Sequence, residues 1–301
     1  MLTIRSLSKV YNNGVPALND INLSIDKGMF GLLGPNGAGK SSFMRTLATL
    51  QMPDTGSIKF DGIDMLTQPH QIKKVLGYLP QDFGVYPRVS ALELLDYLAI
   101  MKGLSNETER REQVASLLHQ TNLYEHRNNH VATFSGGMKR RFGIAQALLG
   151  DPKLIMVDEP TAGLDPEERN RFYNLLSEVG KNIVLILSTH IIEDIQDLCT
   201  DMAIINKGQV LKQGSPQALM DEIKGQVWCK QANNLDSSYI NKNYNVLSTK
   251  TNGLERVIHV HSQLDPGNGF TLAEPTLEDA YFAALNNTGL NSDSDYKAGG
   301  Q

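Results

Sequence analysis

Residues 34–41 read Gly-Pro-Asn-Gly-Ala-Gly-Lys-Ser, the pattern G-x-x-x-x-G-K-[ST] of a loop that holds a polyphosphate. Gly34, Gly37 and Gly39, with Pro35, Asn36 and Ala38 between them, let the main chain wrap closely around negative charge. Successive backbone N–H groups and the start of the next helix point at that charge. Lys40 reaches the β and γ phosphates of a nucleoside triphosphate, Ser41 offers a hydroxyl to Mg²⁺, and Ser42 opens a helix-compatible run to Leu50. A bare glycine turn entering a helix has no structural need for Lys-Ser at this place.

A second constellation is acidic. Leu154-Ile155-Met156-Val157-Asp158-Glu159 is an apolar run ending in two carboxylates. Ligands sit at the C-terminal ends of such strands. Asp158 is placed to contact Mg²⁺, and Glu159 to polarise a water for attack on the γ-phosphate. A third segment, Phe134-Ser135-Gly136-Gly137-Met138-Lys139-Arg140-Arg141, makes an anion-binding helix start from Ser135, Gly136 and Gly137.

The elements that must position these groups are legible as alternating strands and helices. Leu2–Leu7 and Ala17–Ile25 alternate as strands around a turn at Tyr11–Gly14, and Ser57–Phe60 adds another. Val75–Pro80 reads as a buried strand ending at Gln81. Helices are expected from Ser90 to Met101, where Ser90 and Glu93 suit a capping box, from about Glu107 to Gln120, and from Ser135. Leu154–Val157 and Ile183–Leu187 are continuous apolar runs, as parallel strands covered on both faces require. Asp165-Pro166-Glu167-Glu168 starts a helix, another follows from about Ile191 to Cys199, and Met202–Ile205 is a strand. The alternation implies a layered α/β fold. Gly225–Ser262 is richer in Asn, Ser and strand-like alternation, with a hairpin turn expected between two strands at Thr251-Asn252-Gly253, and a short helix is expected at Pro275–Leu285. From Asn286 onward the composition is that of a disordered tail.

The chain has 301 residues, 41% of them hydrophobic and 20% charged, with a net charge of -5. That length suits one large α/β domain and a small appendage, and the acidic balance disfavours a dedicated nucleic-acid binder. Cys199 and Cys229 stand in no metal-ligand spacing. No signal segment is apparent, and no apolar run is long enough to span a bilayer. His259 and His261 share one face of a strand without a third ligand and read as exposed strand histidines. Lys139, Arg140 and Arg141 read as a solvated basic face, and Lys73-Lys74 as solvated surface.

Taken in order, these motifs resemble the ATP-binding cassette (ABC) family over about Leu2 to Asp221. The family signature is usually Leu-Ser-Gly-Gly-Gln; this chain keeps Ser-Gly-Gly but has Phe134 and Met138 at its flanks, and Met138 lacks the glutamine amide. The resemblance implies that Ser135, Gly136 and Gly137 contact the γ-phosphate held by the other protomer of a head-to-tail dimer. Gln81 resembles the Q-loop glutamine that senses Mg²⁺ and the membrane partner. Asp165, in Ala162-Gly163-Leu164-Asp165, resembles the D-loop acid at the dimer seam. His190 resembles the switch histidine at the γ-phosphate, and Tyr11 the aromatic that stacks on adenine.

The implied fold is a P-loop NTPase cassette: a RecA-like core with an antiparallel β subdomain and a helical subdomain at about 88–152. The cassette spans 1–222, a small α+β accessory domain 223–286, and the tail 287–301. Gly-Tyr-Leu-Pro-Gln-Asp and the ending Pro-Thr-Leu-Glu-Asp-Ala-Tyr-Phe resemble ATPase subunits of bacterial ABC-2-type exporters. The implied cofactors are ATP and Mg²⁺. The implied partners are a second copy and integral membrane permease subunits at the cytoplasmic face of the membrane, with a groove beside Gln81, Phe83 and Tyr86 receiving a permease helix. Two rivals stand beside this reading: a soluble cassette acting on ribosomes or nucleic acid, and a non-hydrolysing regulatory subunit. The first would resemble tandem cassettes or carry a coiled-coil or zinc insertion, and the second would not need Glu159 and His190.

Overall fold

A computed structural model describes residues 1–286 apart from 82, 83, 85, 86, 161–164, 233, 253 and 254. Phe83, Tyr86, Ala162, Gly163, Leu164, Gly253 and the tail 287–301 therefore lie outside the described residues. The chain divides into two compact units, Met1–Val210 and Leu211–Gln301.

The first unit begins with β1 (Leu2–Val10), β2 (Pro16–Ile25), β3 (Gly28–Leu33), α1 (Lys40–Leu47), β4 (Thr55–Phe60), β5 (Ile63–Asp64), α2 (Pro69–Val75) and β6 (Leu76–Leu79). It continues with α3 (Ala91–Met101), α4 (Glu107–Gln120), α5 (Gly136–Ala147), β7 (Leu154–Asp158), α6 (Pro166–Gly180), β8 (Val184–Thr189), α7 (Ile192–Leu198), β9 (Asp201–Asn206) and the start of β10 (Gln209–Gly214).

One sheet has the order β2-β1-β4-β5 and is antiparallel. The other has the order β10-β9-β3-β8-β7-β6, with β9, β3, β8, β7 and β6 parallel. Every residue of β7 and β8 is buried, which is why Leu154–Val157 and Val184–Leu187 read as unbroken apolar runs rather than alternations. Phe43, Met44 and Leu47 on α1 pack in one core with Leu2, Ile4 and Ile58 of the antiparallel sheet and Phe30, Met156 and Ile186 of the parallel one. The helix that follows the phosphate loop is thereby fixed between both sheets.

Local chemistry sets the helix ends. Ser90 accepts from the Glu93 N–H while Glu93 bonds back to the Ser90 N–H, closing the expected capping box of α3. Ser135 caps α5, and Asp165 caps α6 with Pro166 in the first turn.

The second unit contains α8 (Pro216–Glu222), β11 (Val227–Ala232), α9 (Asn234–Asn243), β12 (Asn245–Asn252), β13 (Glu255–His261), β14 (Thr271–Leu272) and α10 (Leu277–Asn286). Its antiparallel sheet has the order β12-β13-β11-β14. β12 and β13 pair with Asn252 opposite Glu255. α10 packs on β12 and on α8, so Pro216–Glu222 goes with this unit and the division falls earlier than residue 222. α9 occupies a stretch that reads as strand-like, and Ile240 on it is buried with Ile258, Val260 and Phe270.

Two surface readings are corrected. His259 is not an exposed strand histidine: its side chain is 14% exposed, and Nδ1 lies 2.9 Å from the fully buried Asp279 carboxylate. His261 is half-buried, with Nε2 3.1 Å from Gln226 Oε1. The basic run after Gly137 is not a solvated face either. Arg141 is mostly buried and pairs with Glu168 at 3.2 Å, and Arg140 reaches the Pro80 carbonyl. Among the described residues no group of three metal-ligating side chains forms and no helix is long and apolar enough to cross a membrane.

Candidate functional site

The phosphate loop leaves β3 at Leu33 and enters α1 at Lys40 through Gly39, whose φ is 105°. A Cβ on Gly39 would stand 2.5 Å from the Ala17 carbonyl oxygen, and one on Gly34 would stand 2.3 Å from the Ile205 carbonyl oxygen. Only glycine fits at either place. α1 has no side-chain cap and no acid in its first turn. Its first N–H groups therefore keep no side-chain acceptor of their own, at a cost of about 1 kcal/mol. Burial of Phe43, Met44 and Leu47, about 1.5–3 kcal/mol each, more than offsets that cost. The helix start is thus left bare for an anion while the rest of the helix is anchored.

A cleft of about 470 Å³ opens over this loop, lined by Tyr11, Val15, Pro16, Ala17, Pro35–Ser42, Gln81 and Glu159. Tyr11, exposed at the rim, places its hydroxyl 2.9 Å from Ser42 Oγ and donates to Gln51 Oε1. Lys40 is buried, and Nζ donates to the carbonyls of Gly34 at 2.6 Å and Pro35 at 3.1 Å. Burial lowers its pKa below the usual lysine range, although Glu159 and Asp158 pull it back up.

Glu159 is the meeting point of the predicted groups. Its Oε1 lies 3.8 Å from Lys40 Nζ and 3.3 Å from His190 Nδ1. Its Oε2 accepts from Gln81 Nε2 at 3.2 Å. Lys40 at the start of α1, Gln81 after β6 and His190 after β8 converge on the Glu159 carboxylate, which follows β7.

Asp158, its neighbour, has a different environment. It is 3% exposed, and its Oδ1 has no hydrogen-bond partner. Burial raises its pKa, with the Ser188 and Ser41 hydroxyls and Lys40 opposing. A buried carboxylate oxygen without a donor is costly, and a cation would relieve that cost. The available donors, the Asp158 carboxylate, the Ser41 hydroxyl and the Gln81 side-chain carbonyl, are all oxygens, which suits a hard ion such as Mg²⁺ that takes its remaining ligands from water and phosphate.

Ser135, Gly136, Gly137 and Asp165 do not line this cleft. Ser135 Oγ accepts from Met138 N at 3.2 Å, and Asp165 Oδ1 accepts from Glu168 N at 2.9 Å. The Arg141–Glu168 pair ties the two helices they cap. Val15, Pro16 and Ala17 in the cleft wall, and Ser188 beside Asp158, carry no expectation from sequence. A hydroxyl at the end of the apolar run 183–187 is the signal that could have found Ser188.

The sequence profile of the family described as ABC transporter matches residues 18–162. The ABC transporter ATP-binding protein NatA of Bacillus subtilis (strain 168) is 35% identical over 227 residues, 73% of this chain and 92% of that protein. The probable multidrug ABC transporter ATP-binding protein YbhF of Escherichia coli (strain K12) is 34% identical over 75% of this chain; the chain spans 39% of that protein. A solved dimeric structure, the post-hydrolysis state of the ATP-binding cassette MJ0796 bound to ADP and Pi, superposes with a TM-score of 0.65. It has 26% sequence identity over 71% of this chain and 98% of that one. With a phosphate loop and an acidic strand end on one cleft, and a histidine against the Glu159 carboxylate, the chain belongs to the ABC transporter family and is an ATP-binding ATPase cassette of it.

Proposed function

We propose that this chain binds and hydrolyses Mg²⁺-ATP as the cassette subunit of an exporter, closing head to tail with a second copy around two nucleotides and driving separate ABC-2-type permease subunits from the cytoplasmic face of the membrane. The convergence of Lys40, Gln81 and His190 on the Glu159 carboxylate carries this reading. Lys40 exchanges the Gly34 and Pro35 carbonyls for phosphate oxygens, and the loop N–H groups complete the cradle. Glu159 accepts the hydrogen bond of the attacking water and takes its proton, while His190 Nδ1 or Nε2 turns to the γ-phosphate. Bound Mg²⁺, held by Ser41, Asp158 and Gln81, would supply charge neutralisation at the β and γ phosphates. Tyr11 at the rim serves the adenine.

Ser135, Gly136, Gly137 and Asp165 lie outside the cleft, which supports their acting on the nucleotide of the partner copy. The dimeric relative bound to ADP and Pi and the transporter names of the other relatives support the same assembly. Leu211 onward serves as an accessory unit.

The test is the Glu159→Gln protein with ATP and Mg²⁺. Turnover should fall by about 10²–10⁴-fold, ATP should stay bound, and the mass on a sizing column should double. From detergent-solubilised host membranes it should bring down a polytopic membrane protein in near-equal amount. Wild-type turnover would overturn the role of Glu159, and recovery of ribosomal proteins alone would overturn the transporter reading.

A further inference from the structure

A buried polar network stands directly behind the residue read as the γ-phosphate contact. Asp194, on α7, is 0% exposed, and its carboxylate accepts from three side chains outside its own helix. The Tyr173 hydroxyl and Arg169 Nη2 both donate to Oδ1. Thr189 Oγ1 donates to Oδ2 at 3.0 Å, and the same hydroxyl accepts from the Ile191 N–H at 3.0 Å. Arg169 also bonds the Tyr173 hydroxyl one turn along α6.

Thr189 and Ile191 flank His190 on either side. The main chain of His190 is therefore clamped by one carboxylate, through the hydroxyl of the residue before it and the N–H of the residue after it. α7 is itself fixed against the central sheet. A Cβ on Gly31 of β3 would stand 2.3 Å from Ile195 Cδ1, so α7 sits as close to β3 as a glycine permits. α6, which supplies Arg169 and Tyr173, starts at the Asp165 cap. A carboxylate taken this far out of water costs free energy unless its partners are in place, while Arg169 keeps 30% of its side chain exposed, so the network fixes a geometry rather than adding bulk stability.

The geometry points to Asp194, Tyr173 and Arg169 as positioning residues that hold His190 in place for the γ-phosphate, coupling α6 to the switch histidine; this rests on the proposed ATPase reading of His190. None of the three lines the cleft, so each acts through Thr189, Ile191 and His190 rather than on the nucleotide.

The experiment uses the full chain. Tyr173→Phe removes one donor to Asp194 while keeping the ring, Asp194→Asn keeps the shape and removes the charge, and Arg169→Lys keeps a cation. Equilibrium binding of a fluorescent ATP analogue, steady-state turnover and Tm are measured for each, beside His190→Ala. Expected for Tyr173→Phe is a fall in kcat on the order of tenfold or more, the scale of a small misplacement of a catalytic group, with nucleotide affinity within about twofold. Arg169→Lys should restore part of the rate that Arg169→Met loses. A merely structural role would lower Tm and binding together and leave kcat per bound nucleotide unchanged. Tyr173→Phe with wild-type kcat, while His190→Ala abolishes turnover, overturns the positioning role alone. His190→Ala with wild-type turnover overturns the reading beneath it, and the positioning role with it. Should Asp194→Asn fail to fold, the Tyr173 and Arg169 variants decide.

Discussion

Replacing Gly39 by alanine tests the phosphate loop as a backbone device. Its φ of 105° lies in the left-handed half of conformational space, which costs an L-residue about 1–2 kcal/mol. The added Cβ would also stand 2.5 Å from the Ala17 carbonyl oxygen and 3.4 Å from Gly208 Cα. Both are main-chain atoms that cannot rotate away, and overpacking of that kind costs about 1–3 kcal/mol. The sum is about 2–5 kcal/mol. Gly37 supplies the control. Its φ is 79°, and a Cβ there meets nothing within 4 Å, so Gly37→Ala pays only the conformational term of about 1–2 kcal/mol. At about 2–4 °C per kcal/mol for a unit of this size, mid-range losses are about 10 °C for Gly39→Ala and about 5 °C for Gly37→Ala. Differential scanning fluorimetry reads both, on the transition that Mg²⁺-ATP moves upward. Because Lys40 follows Gly39 directly, Gly39→Ala should also weaken ATP binding more than Gly37→Ala does. Equal losses of Tm, or a larger loss at Gly37, would refute the steric argument.

Asp158→Asn should raise the Tm of the nucleotide-free protein at pH 7 and abolish the further rise that Mg²⁺ adds to ATP. Burial holds the folded-state pKa of Asp158 above its unfolded value, so ionised Asp158 opposes folding, and stability is lost as pH rises from the unfolded to the folded pKa. A lower Tm for the amide would contradict this. Asp279 behaves in the opposite sense. Burial raises its pKa, but His259 and Thr276 outweigh burial and leave it below its ordinary value of 3.8. Its contribution is therefore full above that value and lost as pH falls through the folded pKa. The Tm gap between wild type and Asp279→Asn should be widest near neutrality and close in acid. Cys199 is buried, which pushes its thiol up to about 12. Ellman's reagent at pH 8 should label one thiol, Cys229, in the native protein and a second only after denaturation.

How much of this was readable in advance depended on range. β7 and β8 were legible because a strand covered on both faces must be apolar throughout, and α3 because Ser90 and Glu93 satisfy each other three residues apart. The loop glycines, Lys40 and the two acids were legible because their chemistry leaves few alternatives at that spacing. α9 was not legible: Asn234–Asn243 is rich in Asn and Ser, which compete with the helix backbone, and its helix is supported by burial of Ile240 against β13, a contact the local sequence does not announce. The setting of His259 was misread for the same reason, since its partner Asp279 lies twenty residues on. Arg169 and Tyr173 look like an ordinary i,i+4 pair on a helix face. Only the fold brings Asp194 between them.

The two adjacent acids show what the sequence could name but not arrange. Asp158 is the last residue of β7, opposite Ser188 of β8, and its side chain stays with the sheet, buried. The Glu159 N–H still donates to the Ser188 carbonyl at 2.9 Å, so the strand pairing runs one bond further. There the chain inverts: Glu159 has φ of 46°, a conformation that costs a non-glycine residue about 1–2 kcal/mol. That single inversion sends the second carboxylate away from the sheet and into the cleft, where Lys40, Gln81 and His190 meet it. One acid is thus left buried without a donor on Oδ1 and suited to a cation. The other is 13% exposed and open to water on the side the nucleotide would occupy. Opposite roles for identical functional groups follow from environment, and here the environment is set by one backbone torsion held by one hydrogen bond. Glycine at 159 would relax that torsion but carry no carboxylate, so the strain stays with the residue that needs to be there.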